Sequence, residues 1–312
     1  MPLGSNTQFT GAGAQDEALT QRMLGQLNRA RLTPHMSPEQ WSRMLDEELA
    51  LRRLEHQFVE REREQVRLWA DTAPRDAEAF VHWFEELKQN GPGQGDSLFP
   101  WLAEEATHEE LCWFLTQEMA GEAGFDDLVA LTQVKLPARP KLELARNYWD
   151  EMGQGTQSGM HGPMLEHLGR ALDLDIREEA TVWESLALAN LMVALAANRH
   201  YTYQSIGALG AIELTAPGRS EKVNAALKRL GLGGAARRYY ALHATLDVKH
   251  SLAWNNEVLL PLVAANPALA TPIAEGALMR LRAGARCFER YRAELWSGNW
   301  QPGPTPHSAR SA

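Results

Sequence analysis

The stretch His243-Ala244-Thr245-Leu246-Asp247-Val248-Lys249-His250 carries two imidazoles and one carboxylate at spacings of four and three residues. In an α-helix, at about 100° per residue, Asp247 falls roughly 40° from His243 and His250 roughly 20° to the other side. All three side chains then leave one helical face. Two histidines and an aspartate on one stripe are donors suited to Fe, Mn or Zn. The bland alternative is a pair of partly exposed helix histidines, with Asp247 paired to one of them. One helix supplies at most half of a buried dinuclear site, so other helices must add carboxylates.

Outward from that stretch the pattern is helical almost throughout, and the chain reads as all-α. Ala, Leu, Glu and Arg dominate, and no period-2 strand or hairpin dipeptide interrupts them. Ser37-Pro38-Glu39 is expected to start a helix reaching about Trp69, and Asp76 to Gln89 a second. Thr107 with Glu110 reads as a capping box for a helix to about Gly124. Further helices are expected over Lys141 to Met152, His161 to Leu172 and Thr181 to Leu214, the last stopped by Pro217-Gly218. After it come Glu221 to Leu230, Ala235 to Leu259, and Pro272 to about Trp296. The Gly, Ser and Thr-rich start (1–16) and the Gly, Pro and Ser-rich end (298–312) read as disordered tails. Between them lie an N-terminal helical extension (17–96) and a main bundle (97–297).

Carboxylates that could complete the site are few. Glu151 ends one helix, and His161 begins the next ten residues later. Glu213, flanked by Ile212 and Leu214, needs a compensating cation if buried. Taken in order, Glu151, His161, Glu213, His243, Asp247 and His250 resemble the ligand pattern of the heme-oxygenase-like diiron oxidases and oxygenases. The segments Lys141 to Gly153 and Met160-His161-Gly162-Pro163-Met164-Leu165 are also similar to that family, over roughly Phe99 to Tyr291. The resemblance implies a seven-helix bundle, two Fe per chain and O2 as co-substrate. The chemistry it implies is N-oxygenation, desaturation or carbon–carbon cleavage of a small amine- or amino-acid-like substrate. Members that oxygenate nitrogen carry a further Glu on the first core helix. Glu118 matches it, with Glu122 one turn later as the alternate. Nine residues separate Glu151 from His161, more than in compact members, which leaves Glu143, two turns upstream, as an alternative to Glu151.

Gly210, one turn before Glu213, offers either space beside the metals or close helix packing. Tyr203 and Tyr240 are candidates for hydrogen bonds behind the ligands, and Trp149, Trp183 and Trp254 for pocket lining or core.

Composition removes other classes. The chain has 312 residues, 44% of them hydrophobic, and a net charge of -9. An acidic chain without a basic run is a poor partner for nucleic acid. No apolar run approaches the ~20 residues of a membrane span, and Met1 to Asp16 does not read as a signal peptide, so the cytosol is expected. Cys112 and Cys287 are expected to be buried free thiols. A homodimer is expected, because the long N-terminal helix needs a surface to pack on, and an external electron donor would complete a redox cycle. The alternative function is a non-catalytic metal- or ligand-binding bundle, or an interaction module. A haem oxygenase proper would use a proximal His and no carboxylate cluster, which three core acids argue against.

Overall fold

A computed structural model describes residues 11–34, 41–298 and 300, and the chain is all-α over them. The helices are α1 (Gly11–Leu32), α2 (Trp41–Ala70), α3 (Ala77–Asn90), α4 (Leu98–Glu104), α5 (His108–Ala120), α6 (Phe125–Thr132) and α7 (Ala138–Glu151). They continue as α8 (His161–Ala171), α9 (Trp183–Ala197), α10 (Thr202–Arg229), α11 (Arg238–Trp254), α12 (Leu260–Ala265) and α13 (Ala270–Leu295). A π-helical turn at Asn255–Leu259 joins α11 to α12. The only extended pairing among the described residues is one antiparallel bridge, Met152 to Met160.

The core forms where α10 crosses α13. A Cβ on Gly207 would fall 1.8 Å from the Ile273 carbonyl oxygen, and one on Gly276 would fall 1.8 Å from that of Gln204. Only glycine lets these backbones touch, which fixes the crossing point. α9 is buried on almost every side, as its unbroken apolar run requires. The Thr107 capping box is present, with Glu110 reaching back to the Thr107 amide.

Four expectations are corrected. Thr181 to Leu214 is not one helix: the chain turns at Asn198, in extended conformation, where the Asn198 amide bonds the Ala194 carbonyl and Glu55. Pro217 does not end its helix but lies buried inside α10. An internal proline costs about 3 kcal/mol and leaves the Glu213 carbonyl without its helical donor. Beyond it, burial of Val223, Ala226 and Leu227 offsets that cost. Arg229 adds hydrogen bonds to the Leu102, Ala103 and Ala106 carbonyls, where α4 ends. The tail expected over 1–16 is already helical from Gly11, while residues 1–10 lie outside the described ones. Cys287 is a buried free thiol, but Cys112 is only half-buried. The start at Ser37-Pro38-Glu39 and most of the C-terminal tail lie outside the described residues.

The extension shares the main core: Leu24, Phe58, Val59, Val66, Phe80 and Phe84 belong to the same buried cluster as α9, α10 and α13. Among the described residues, no single helix is long and apolar enough to cross a membrane.

Candidate metal centre

Four helices converge on six side chains. α7 ends on Glu151, α8 begins on His161, α10 carries Glu213, and α11 carries His243, Asp247 and His250. The intervening Gly-rich segment decides whether the first two can meet. Gly153 and Gly155 have φ of +60° and +83°, and a Cβ on Gly153 would sit 2.2 Å from the Gly159 carbonyl carbon. The segment therefore pinches shut at the Met152–Met160 bridge and loops outward. Its closure brings His161 Nδ1 to 2.7 Å from Glu151 Oε2. Glu143 is instead engaged by Arg146.

The six side chains form two triads, Glu151–His161–His243 and Glu213–Asp247–His250, each offering three ligand atoms within 4.8 Å of one another. Hydrogen bonds fix two of the three imidazoles. His243 donates through Nδ1 to the Tyr239 carbonyl at 2.8 Å, leaving Nε2 free. His250 donates through Nε2 to Asp150 at 3.2 Å, so its Nδ1 faces Glu213 at 3.4 Å and Asp247 at 3.9 Å. The Asn147 amide donates to Glu213 at 2.5 Å. A metal-facing nitrogen opposite a fixed N–H is the usual arrangement of a ligating histidine.

The electrostatics ask for a cation. Burial, then Glu213, raises the Glu151 carboxyl well above its usual range. Burial, Glu213 and Glu151 raise Asp247. Burial and the neighbouring imidazoles hold His161 and His243 down at about 4. Burial alone would lower His250, but Glu213, Asp150 and Glu151 outweigh it and hold that ring at about 9. Glu213 acts electrostatically on all five other members, so the two triads share one field. His161 Nδ1, His250 Nδ1 and Asp247 Oδ1 are buried without an aligned hydrogen-bond partner. Buried polar atoms are rarely left so. Three carboxylates and three imidazoles without a thiolate suit a divalent first-row metal such as iron.

A cavity of about 160 Å³ opens on Glu151, Glu213, His243 and Asp247. Glu118 and Glu122 line it but belong to neither triad. Glu118 lies near Arg219 and Arg280 and is hydrogen-bonded by Tyr291, whereas Glu122 accepts from the Gly124 and Phe125 amides. Glu122 is exposed where it lines this cavity. Gly210 makes no room at the centre: a Cβ there would sit 2.6 Å from Trp254 Nε1, so it serves close packing. Trp254 is core, Trp183 is stacked under Arg286, and Trp149 is 54% exposed, contrary to both of its expected roles. Tyr240 lines the cavity and Tyr203 packs on the core.

Sequence reasoning missed Asn147, Asp150, Arg219 and Arg280. Asn147 left a signal, because it lies four residues before Glu151 on the same α7 face, whereas Asp150 points about 100° away from it. The arginines left none, since burial of a charged side chain has no period.

No curated protein matches the chain. A family model described as an iron-containing redox enzyme matches residues 112–285, a span that contains both triads. With more than half of its length inside that match and an all-helical bundle around it, the chain belongs to the heme-oxygenase-like family of iron-containing redox enzymes.

Proposed function

We propose that the protein binds two irons, one at each triad, and couples O2 to the oxidation of a small amine- or amino-acid-like molecule. The observation that carries this reading is the pair of adjoining buried triads, in which His161 Nδ1, His250 Nδ1 and Asp247 Oδ1 have no aligned hydrogen bond. Two bound ferrous ions would supply the electrons for O2 and the oxidising power for the substrate. The protein's own part is to fix geometry and charge. Tyr239 and Asp150 set which nitrogen His243 and His250 present. Asn147 orients Glu213. The cavity holds a substrate against Glu151, His243 and Asp247 and limits water around it.

Anaerobic loading with Fe(II) followed by metal analysis tests this. Close to two irons per chain, and a visible absorption band on admitting O2, are expected. One iron or none, or two irons inert to O2, would overturn it.

A further inference from the structure

The cavity wall carries a second charged group, whose members have one another as electrostatic neighbours. Arg219 of α10 lies six residues beyond Glu213, about 9 Å of helix rise. Its guanidinium donates to Thr215 Oγ1 at 2.6 Å and lies 5.5 Å from the centre of the Phe288 ring. Arg280 of α13 is different. Its Nε and Nη1 are buried without a hydrogen-bond partner, although Glu118 is close enough to act on its charge. Glu118, which accepts from Tyr291, and Glu122, which accepts from two backbone amides, act on the Arg280 charge but make no hydrogen bond with its Nε or Nη1. A buried guanidinium lacking acceptors is costly, and a carboxylate is the acceptor whose geometry matches it.

Charge points the same way. Five carboxylates line the cavity (Glu118, Glu122, Glu151, Glu213 and Asp247) against two guanidiniums, formally three negative charges in excess. Two divalent ions would turn this into one positive charge, which a single substrate carboxylate cancels. For size, a cavity of about 150 Å³ in another protein admits benzene, so a ligand of roughly six to eight non-hydrogen atoms fits.

We propose that Arg280, with Arg219 beside it, binds the carboxylate of a small substrate whose far end faces Glu151, His243 and Asp247. The subsite makes the substrate a short carboxylic or amino acid, oxidised away from its carboxylate. This deepens the iron-dependent oxidation proposed above and rests on it.

The test is calorimetric titration of anaerobic, Fe(II)-loaded protein with pentanoate, pentan-1-ol and pentylamine, with iron counted in each sample. Pentanoate should bind at least about tenfold more tightly than the alcohol or the amine. Arg280→Met should lose about tenfold or more in pentanoate affinity at unchanged iron content. Arg280→Lys, which keeps the charge without the fork, should fall between and serves if the methionine variant does not fold. Equal binding of pentan-1-ol overturns the subsite, as does no pentanoate binding to the iron-loaded protein. Full affinity in both Arg280 variants at full iron content places the carboxylate elsewhere, and overturns the subsite while leaving the iron reading intact. If the protein takes up no iron, the iron reading fails, and the same Arg280 comparison on metal-free protein decides the subsite separately.

Discussion

Two of the buried polar clusters among the described residues differ in completeness. At the seam between α1, α2 and the bundle, most donors meet an acceptor. Arg31 pairs with Glu55 at 2.5 Å, and Asn198 donates to the same carboxylate at 2.9 Å. Tyr201 donates to Glu60 and contacts His56 Nδ1, both at 2.8 Å. Asn190 accepts from Asn28 and donates to Gln21. At the metal centre, three acids and three imidazoles face one another with ligand atoms left over. Burial is similar, and both leave single atoms unpartnered (Asn28 Oδ1, Arg31 Nε and Glu62 Oε2 at the seam), but the seam closes its charge, acid against guanidinium, whereas the metal centre sets three acids together with no guanidinium among them. A closed network holds segments together. An open one, with excess charge of one sign, holds something else.

The sharpest way to break this contrast is Asp247→Ala. It removes a carboxylate from the open cluster, so iron binding should fall from two per chain to at most one. The metal-free variant should melt at or above the wild-type temperature, because the cost of burying the Asp247 carboxyl, its largest perturbation, is relieved. Retention of two irons would show that Asp247 is not a ligand. Glu55→Ala should do the reverse. It strands the buried Arg31 guanidinium, and breaking such a pair costs about 3–5 kcal/mol. Denaturant melts should show that loss, whereas iron content per folded chain should not change. A fall in iron without a fall in stability would erase the distinction between the clusters.

The sequence exposed these clusters unequally, for physical reasons. His243, Asp247 and His250 need only the period of one helix to be seen as a set. Glu151 and His161 need a loop to close, and glycine content alone does not show that Gly153 to Gly159 folds outward. Local propensity at Pro217 favours a stop, and only the packing of Val223, Ala226 and Leu227 reverses it. The seam was invisible because Glu55, Glu60 and Glu62 sit among alternating charges that read as a solvated face. Their partners Arg31, Tyr201 and Arg286 lie far away in sequence.

A smaller effect sharpens the comparison at the boundary of the open cluster. Asp150 is half-exposed and faces no metal position, but it fixes the His250 ring through Nε2. Asp150→Ala should weaken iron binding by about 10–100-fold, the usual range for a partner behind a ligating histidine, without abolishing it. Asp150→Asn, which keeps an acceptor, should recover most of the affinity in an Fe(II) titration. An alanine variant with wild-type affinity would assign Asp150 to the surface.

The smallest effect is in the pH dependence of the iron-free protein. His250 is held at about 9, above its ordinary value, so its contribution is complete below about 6.5 and is lost as pH rises toward 9. Asp247 and Glu151 are also raised, so the folded chain keeps protons there that the unfolded chain releases. The sign is the same for all three: stability falls as pH rises, by at most about 1.4 kcal/mol per pH unit for each extra proton held. His161 and His243, lowered to about 4, act oppositely, but only below about 6.5, where the unfolded imidazoles begin to protonate. Iron-free protein should therefore lose melting temperature between pH 6.5 and 9. Iron-loaded protein should lose less, since bound metal takes the place of those protons. Parallel profiles for iron-free and iron-loaded protein would mean that the cluster around Glu213 does not exchange protons for metal.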